Sequence, residues 1–267
     1  MVIFVVHASA DLGFARSPLH IIAIIPARYG STRLPGKPLL DISGCPLIEH
    51  VYRRARLAPS LASVLVATDD ERIRVAVEAF GGAVRMTAAT HRTGTDRLAE
   101  VATTLPCDVV VNVQGDEPLI EPTMIEQVIE PFASDPTVLM TTLRRRIEDR
   151  TEWLDPNVVK VVTDVHDNAL YFSRAPIPST PGAGDDDLGF KHIGLYGYRR
   201  EFLLTFARLE PTPLEQRERL EQLRALEHGY GIKVLETTHD SIGVDTWDDL
   251  ERVRQLAVAG AYMREER

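Results

Sequence analysis

The chain has 267 residues, and its 30 basic and 39 acidic side chains give a formal net charge of −9. This charge argues against a nucleic-acid partner, but a local basic cluster could still hold a nucleotide. No apolar run reaches the roughly 18–20 residues that a transmembrane helix needs, so we expect no membrane insertion. The two cysteines, Cys45 and Cys107, have neither metal-ligand spacing nor a disulfide pattern, which is typical of a reducing, cytoplasmic compartment.

The N-terminal residues differ from the rest of the chain. Residues 1–7 are mostly apolar but have no basic segment ahead of them, and Asp11 follows soon after, so we expect no cleaved signal peptide. We expect residues 1–18 to form an N-terminal extension that need not be ordered. Residues 19–267 are then expected to form a single α/β domain.

The first half of that domain alternates between short apolar runs and amphipathic segments. The run at 21–25 is continuous and rich in isoleucine, as in a strand buried on both faces of a parallel sheet. Strands are predicted at 21–25, 64–67, 83–86 and 109–113, and helices at 46–57, 70–80 and 94–103. Such alternation is typical of βαβ units and of a mostly parallel sheet wrapped by helices.

From about residue 136 the alternation becomes less regular. Strands are predicted at 138–143, 158–162, 169–172 and 189–198, and helices return at 214–227 and 246–257. The segment 176–187 carries three prolines, two glycines and three aspartates, which is typical of an exposed loop. The predicted fold is therefore α/β, with a mostly parallel, Rossmann-like sheet flanked by helices and a β-rich insertion at 136–200.

The loop after the first strand, residues 26–38, has the densest chemical pattern in the sequence. It leaves the carboxyl end of a predicted parallel strand, where open α/β sheets bind their ligands. Its small residues let backbone amides approach phosphates, and Arg28, Arg33 and Lys37 supply positive charge. It lacks the spacing of a Walker loop. The loop therefore indicates a nucleotide-binding site, and an ordinary solvated loop with three cations is the plainer alternative.

Two acidic residues also lie at the ends of predicted elements. Asp116, in the motif Gln-Gly-Asp-Glu-Pro at 114–118, directly follows the fourth strand, where a carboxylate can hold Mg²⁺ against phosphate oxygens. A solvated turn residue is the alternative for Asp116. Asp245 precedes the last predicted helix, where by itself it would be a capping or first-turn acid.

The loop at 26–38 resembles the nucleotide-binding signature of sugar nucleotidyltransferases, and its T-R-L-P-G-K-P form resembles that of CMP-Kdo synthetases. The resemblance extends from about residue 21 to residue 258, through further motifs in the same order. They lie at 67–70, 91–97, 112–118, 157–161, 171–175, 192–198 and 243–246. The ordered set is specific, although no single motif is. The short acidic loop after residue 178 departs from the family pattern, which affects sugar selection and dimer contacts but not the reaction class.

The resemblance implies roles for residues of this sequence. It implies that Arg28, Lys37, Asp116 and Asp245 are catalytic, with Asp116 and Asp245 as the two carboxylate ligands of Mg²⁺. It also implies one set of residues that binds CTP and another that binds a sugar acid. The first set is Ala27, Arg28, Arg33, Lys37, Thr93, Gly94 and Arg97, and the second is Gln114, Arg174, His192, Tyr196, Glu221 and Gln222.

Plainer roles remain open for several of these residues. Thr93 could cap the helix that follows it, and capping is compatible with ligand contact. Glu221 and Gln222 could form the wet side of an amphipathic helix. His192 could be a structural histidine.

The activity that the resemblance implies is transfer of CMP from CTP to the anomeric hydroxyl of Kdo, an eight-carbon sugar acid, with release of pyrophosphate. This reaction would activate Kdo for lipopolysaccharide synthesis, with Mg²⁺ as cofactor, in a homodimer built by the second half of the chain. An 8-amino-Kdo or a sialic acid remains open as the acceptor. A catalytically inactive nucleotide-binding regulator is the alternative of another class, although Lys37, Asp116 and Asp245, whose loss would mark one, are all present.

Overall fold

The computed structural model describes residues 18–30, 33–179 and 188–258. The predicted N-terminal extension at 1–18 therefore lies outside the described residues, except for Pro18. The predicted loop at 176–187 also lies outside them from residue 180 onwards.

The strands of the described residues form one large sheet and one small hairpin. They are β1 Ile21–Ala27, β2 Asp41–Ile42, β3 Cys45–Pro46, β4 Ser63–Thr68, β5 Val84–Met86, β6 Val109–Asn112, β7 Met140–Arg146, β8 Lys160–Thr163, β9 Ala169–Ser173, β10 Phe190–Arg199 and β11 Lys233–Glu236. The large sheet has the order β11-β7-β10-β6-β1-β4-β5, and β8 pairs with both β10 and β9. Strands β2 and β3 form the separate hairpin.

Most neighbours along the large sheet run parallel. Strand β1 lies parallel between β4 and β6, β4 is parallel to β5, and β7 is parallel to β11. The exception along this path is β10, which runs antiparallel to both β6 and β7. Strands β7 to β10, which come from the region predicted to be β-rich, continue the sheet that contains β1. The predicted α/β class with a mostly parallel sheet is confirmed.

Helices cover both faces of this sheet. In the described residues they are α1 Leu47–Ala55, α2 Glu71–Ala79, α3 Gly94–Thr104, α4 Pro122–Ser134, α5 Arg150–Leu154, α6 Arg200–Phe206, α7 Pro213–Glu218, α8 Gln222–Glu227 and α9 Trp247–Val258. The sequence analysis did not predict α4, α5 or α6. No helix within the described ranges is long and apolar enough to cross a membrane.

The prediction of one helix at 214–227 is wrong. Two short helices, α7 and α8, replace it, because Arg219 between them adopts a left-handed conformation with a φ of 56°. A left-handed residue cannot continue a right-handed helix. At this turn the Glu218 side chain meets the end of β9, where it accepts hydrogen bonds from Ser173 Oγ (2.7 Å) and Arg174 N (3.0 Å).

Alternating side chains of β1 enter two separate cores. Ile21, Ala23 and Ile25 pack in the core beneath α1, α4 and α9, whereas Ile22 and Ile24 pack in the core beneath α3, α6 and α8. The predicted burial of this strand on both faces is therefore confirmed. Because β1, β4 and β6 are parallel, their carboxyl ends meet at one edge of the sheet.

Candidate active site

Two loops leave the sheet side by side at the carboxyl ends of β1 and β6. Ala27 is the buried last residue of β1. The loop after β6 passes so close to β1 that a Cβ at Gly115 would lie 2.6 Å from the carbonyl oxygen of Pro26. Only glycine permits this approach. Gly115 therefore fixes Asp116 beside the loop that carries Lys37.

Lys37, Asp116 and Asp245 form one cluster at this edge. The Lys37 Nζ atom donates hydrogen bonds to Asp116 Oδ2 at 2.7 Å and to Asp245 Oδ1 at 2.9 Å. On the outer side, Arg33 Nη2 lies 3.8 Å from Asp245 Oδ2. Three of the four residues predicted to be catalytic are thus brought together, and the fourth, Arg28, is exposed just beyond β1.

The two carboxylates keep the Lys37 ammonium charged. Burial alone would lower the pKa of this lysine, but charge attraction and hydrogen bonds from Asp116 and Asp245 outweigh it, so the pKa of Lys37 lies above its ordinary value of 10.5. Lys37 is therefore a fixed positive charge at neutral pH. The cluster offers a cation for phosphate oxygens and carboxylate oxygens for a divalent metal.

The loop that carries Asp245 is tied to the loop that carries Asp116. Val244 N donates to the Asp116 carbonyl oxygen at 2.9 Å, and Ser241 Oγ donates to Glu117 Oε2 at 2.9 Å. Burial, and then the neighbouring Asp116 charge, raise the pKa of Glu117 to about 7. These contacts set the position of the Asp245 backbone relative to Asp116.

The same loop is anchored to the sheet through Asp240. Asp240 Oδ2 accepts hydrogen bonds from Lys191 Nζ on β10 and from Arg145 Nη1 on β7, each at 2.9 Å. Lys191 Nζ also donates to Glu152 at 2.5 Å, and its side chain is only 9% exposed. Salt screens these pairs only in part, because Lys191 is buried although the Asp240 side chain is 42% exposed. Strands β7 and β10 therefore hold the beginning of the loop that ends at Asp245.

Tyr29 shapes the loop that carries Lys37. Gly36 N donates to the Tyr29 carbonyl oxygen at 3.1 Å, and a Cβ at Gly36 would lie 3.0 Å from the tyrosine ring. The Arg72 guanidinium lies over the same ring, 3.2 Å from its centroid, and also pairs with Asp70. Gly36 has a φ of 70°, which favours glycine. The resulting turn directs Lys37 towards the carboxylates.

The turn predicted to meet cytosine begins α3. Thr93 Oγ1 accepts a hydrogen bond from Asp96 N at 3.1 Å, and Asp96 Oδ2 accepts one from Thr93 N at 3.1 Å, so Thr93 caps the helix. Arg97 is buried and pairs with Asp69 at 3.2 Å and with the Thr87 hydroxyl. The structure thus places the Arg97 guanidinium between the ends of β4 and β5.

A cavity of about 140 Å³ lies beside the Asp116 loop and gathers most of the residues predicted to bind the sugar acid. Its walls are Gly94, Thr95, Asn112, Gln114, Met140, Tyr196, Tyr198, Phe206, Glu221 and Gln222. Gln222 is buried, so it does not form the wet side of its helix. The fold therefore brings together predicted residues from α3, the Asp116 loop, β10 and the start of α8.

Two acceptor atoms on the cavity wall have no hydrogen-bond partner in the part of the chain that the structure describes. They are Asn112 Oδ1 and Glu221 Oε1, both buried, although Glu221 Oε1 lies within ion-pair distance of Arg224 Nη2, at 4.0 Å. The other Glu221 oxygen accepts a hydrogen bond from Thr95 Oγ1 at 2.5 Å. Burial raises the pKa of Glu221 despite that bond. Buried polar atoms rarely lack a partner, so this wall is suited to a ligand with donor groups.

His192 lies behind the cavity wall. Its Nε2 atom shares a hydrogen bond with Thr142 Oγ1 at 2.9 Å, and its ring packs against Phe172 and Tyr196. Burial lowers the pKa of His192 to about 3, so the ring is neutral at pH 7. Tyr196 is the cavity-wall residue whose ring His192 contacts within the described part of the chain.

Arg174 is also placed away from the cavity wall. Its Nε and Nη1 atoms donate to the carbonyl oxygens of Glu218 (2.9 Å) and Pro156 (3.0 Å). Those carbonyls fix the guanidinium between β9 and the α7–α8 turn. The structure does not bring Arg174 together with the other predicted sugar-binding residues.

Sequence reasoning missed half of the cavity wall. The missed residues are Thr95, Asn112, Met140, Tyr198 and Phe206. Asn112 had a signal, because it is a polar residue in the otherwise apolar run at 109–113 and lies within the motif at 112–118. The apolar and aromatic residues had none, since such residues usually pack in a core.

Comparison with known proteins identifies the family of this chain and relatives of its fold. Residues 22–237 match the model of a family described as cytidylyltransferase. The 3-deoxy-manno-octulosonate cytidylyltransferase of Geobacter metallireducens is 56% identical over 88% of this chain and 96% of its own length. The solved structure of a CMP:2-keto-3-deoxy-manno-octonic acid synthetase complexed with CTP is 45% identical, with a TM-score of 0.86 over 90% of this chain and 99% of that one. A putative glucose-1-phosphate thymidylyltransferase from Bacillus anthracis shares the fold, with a TM-score of 0.61 at 18% identity over 89% of this chain and 95% of that one. This chain therefore belongs to the cytidylyltransferase family and is a nucleotidyltransferase.

Proposed function

We propose that this chain transfers CMP from CTP to the anomeric hydroxyl of Kdo, giving CMP-Kdo and pyrophosphate, and so activates Kdo for lipopolysaccharide synthesis. The observation that carries the proposal is the cluster of Lys37, Asp116 and Asp245 beside a cavity with amide and carboxylate walls. The choice of Kdo is supported by a relative of that name at 56% identity. The choice of CTP is supported by the related structure complexed with CTP.

The basic residues suit the leaving group of this reaction. Negative charge grows on the β- and γ-phosphates as pyrophosphate leaves, and a preorganised donor stabilises that charge. Lys37 fits this role because its ammonium is already held at the edge of the sheet. Arg28 and Arg33 lie further out and are exposed, so we assign them to the outer phosphates.

We further propose Mg²⁺ as the cofactor. Asp116 Oδ2 and Asp245 Oδ1 both contact one Lys37 nitrogen, so two hard oxygen donors already converge, and the residues fit the ion. Mg²⁺ commonly takes one or two carboxylates and completes its coordination with phosphate oxygens and water. Among the described residues no group of three or more His, Cys, Asp or Glu is placed to hold a metal. When bound, the ion would neutralise phosphate charge next to the attacking hydroxyl.

The chemistry is an in-line displacement. The anomeric oxygen forms a bond to the α-phosphorus while the bond from that phosphorus to the bridging oxygen of pyrophosphate breaks. The hydroxyl proton passes to solvent, since we assign no protein base. Gln114, Glu221 and Gln222 hold sugar hydroxyls, and the turn at Thr93 and Gly94 borders the cytosine. Catalysis then comes mainly from positioning and charge stabilisation.

A matrix of nucleoside triphosphates and sugar acids tests the proposal, with pyrophosphate release as the readout in the presence of Mg²⁺. CTP with Kdo is expected to exceed every pairing with UTP or ATP. Parallel wells with 8-amino-Kdo and a sialic acid separate the alternative acceptors. Asp116→Asn serves as the control for background hydrolysis. Equal release with UTP, or release that needs no sugar acid, would contradict the proposal.

We also propose a homodimer formed by the second half of the chain. Strand β9 pairs only with β8 within the described strands, and Leu170 on β9 is 61% exposed. Ala169 N donates to the Ile232 carbonyl oxygen at 2.8 Å, and beyond that bond the edge of β9, with its exposed apolar side chain, favours pairing with a second copy. Light scattering at micromolar concentration should give about twice the chain mass of 29.7 kDa. A monomer under those conditions would end this idea.

We place the enzyme in the cytoplasm. Cys45 and Cys107 are both free thiols, as expected in a reducing compartment. Recovery of the activity in the soluble fraction of osmotically shocked cells, and not in the released periplasm, checks this expectation. Activity released with the periplasm would contradict it.

A further inference from the structure

The cavity wall contains a buried amide to which the proposed function gives no role. Asn112 is the last residue of β6 and is 5% exposed. Its Oδ1 atom is buried without a hydrogen-bond partner. In the sheet it lies opposite Tyr196 of β10, another residue of the cavity wall.

An unpaired amide oxygen at this depth is unfavourable for folding. A buried acceptor gives up hydrogen bonds to water and gains none in return. The three residues before it, Val109, Val110 and Val111, are fully buried valines, so a valine at 112 would continue the strand pattern. Residues that break the local pattern without a packing gain are expected at functional sites. The unpaired Oδ1 atom of Asn112 lowers the stability of the fold without a packing gain, which points to a ligand that pairs with it.

The cavity wall also indicates which kind of group the ligand presents. Glu221 Oε1 is a second buried acceptor on the same wall without a hydrogen bond, and it lies 4.0 Å from the Arg224 guanidinium. A carboxylate offers only acceptor atoms and would face two acceptors, whereas a hydroxyl group can donate to them. Met140 and Phe206 add apolar surface suited to the carbon chain of a polyol.

We propose that Asn112 is a specificity-determining residue whose side-chain amide binds a hydroxyl group of the sugar acid and so selects a polyhydroxylated acceptor. This inference rests on the proposed function, because it requires the sugar acid to occupy the cavity. An amide both donates and accepts, so it matches a hydroxyl in either direction. Asn112 thereby selects against acceptors that present an apolar carbon at the same place.

Asn112→Val separates this role from a structural one. The variant should lower kcat/KM for Kdo about 5- to 150-fold, because the sugar hydroxyl then loses its partner in a buried site. The KM for CTP should stay unchanged, and the Tm of the free enzyme should stay level or rise. A structural asparagine would give the opposite result, a lower Tm without selective loss of Kdo, and would overturn the inference.

Gln127→Leu is the matched control. Gln127 Oε1 is also buried without a partner, but Gln127 lies on α4 and is not a residue of the cavity wall. This variant should leave both KM values and kcat unchanged. A loss of Kdo activity equal to that of Asn112→Val would show that removing a buried amide anywhere has this effect, which would overturn the inference.

Kdo analogues that each lack one hydroxyl identify the contact. For the hydroxyl that Asn112 binds, the parent should already lose activity and Asn112→Val should lose nothing further. A variant that loses the same factor with Kdo and with every analogue would show that Asn112 binds no hydroxyl. A parent that releases no pyrophosphate with CTP and Kdo overturns the proposed function and this inference together. An active parent with an unaffected variant overturns the inference alone.

Discussion

Replacing Lys37 by methionine removes an ammonium that Asp116 and Asp245 share. Both carboxylates bond the same nitrogen, at 2.7 and 2.9 Å, so their bonded oxygens are at most about 5.6 Å apart. Two negative charges at that distance repel by about 0.7 kcal/mol at the dielectric constant of water and by about 3 kcal/mol at an effective value of 20. The Asp245 side chain is 55% exposed and that of Asp116 is 34% exposed, so water screens part of this repulsion. We therefore expect the free energy of unfolding to fall by about 1–2 kcal/mol.

This loss should be visible in stability and should depend on metal. For a chain of this size it lowers Tm by about 2–8 °C at low ionic strength. Mg²⁺ or added salt should restore most of the difference, because either one offsets the repulsion. In turnover, kcat/KM for CTP should fall about 100- to 1,000-fold, as for other preorganised donors. Lys37→Arg should restore only part of kcat/KM, because a planar guanidinium group does not replace the compact charge of an ammonium group.

Thermal melts with and without Mg²⁺, together with pyrophosphate kinetics, measure both effects. Arg74→Met is the matched control, because Arg74 also pairs with two carboxylates, Glu71 and Glu78, but does so on α2, away from the cluster. Its kinetic constants should equal those of the parent. Parental kcat/KM in Lys37→Met would refute the reasoning, since the carboxylates and the loop would then position phosphate without the ammonium.

Three further predictions concern the loop after β6 and the proposed metal site. Asp116→Asn and Asp245→Asn should each lower kcat by orders of magnitude with little change in Tm, as kinetics and thermal melts can show, because each removes a proposed anionic metal ligand at an exposed edge. The pKa of Glu117 is raised from 4.5 to about 7, so the folded protein keeps a proton that the unfolded chain releases, and stability falls as pH rises through that window. Urea unfolding without Mg²⁺ should show a loss of at most about 3 kcal/mol in the parent and a flatter profile in Glu117→Gln. Gly115→Ala should cost about 2 kcal/mol or more and reduce kcat/KM, because its Cβ would lie 2.6 Å from the Pro26 carbonyl oxygen; denaturant unfolding and pyrophosphate release measure these losses.

Each of these predictions has an outcome that would contradict it. An Asp116→Asn protein that melts far below the parent would make that carboxylate structural. Equal pH profiles for the parent and Glu117→Gln would mean that this carboxyl ionises normally in the fold. A Gly115→Ala protein with parental stability would show that β1 and the Asp116 loop can separate without cost.

The periodicity of the sequence predicted the strands in the parallel half of the sheet, but it did not predict helices α4, α5 and α6. The burial of 21–25 on both faces follows from its continuous apolar run, which no amphipathic helix would show. Helix α4 was missed because Pro131 lies inside it, and an internal proline ordinarily argues against a helix. Its buried stripe, including Met124, Val128 and Phe132, outweighs that local cost. The break at Arg219 had no signal, since the predicted helix at 214–227 contains no glycine or proline.

For the candidate site, residues whose position depends on one loop were easier to predict than residues set by distant partners. Lys37 and Asp116 could be placed at the same edge because each follows a parallel strand. The contacts of Arg97 depend on Asp69 and Thr87, which only the folded sheet brings near. The charge state of His192 depends on burial behind the cavity wall, which no local pattern indicates.

The spacing of the cluster along the chain has a consequence for the time at which the enzyme becomes active. Lys37 and Asp116 are 79 residues apart, but Lys37 and Asp245 are 208 residues apart. At about 5–20 residues per second, a ribosome needs roughly 10–40 s to pass from one member of the wider pair to the other. Once Asp116 has been added, and until Asp245 follows, the nascent chain has the loop that carries Lys37 and one carboxylate, but not the second. Pyrophosphate-releasing activity should therefore arise late in synthesis, and fragments truncated before residue 245 should be inactive even where they still bind CTP.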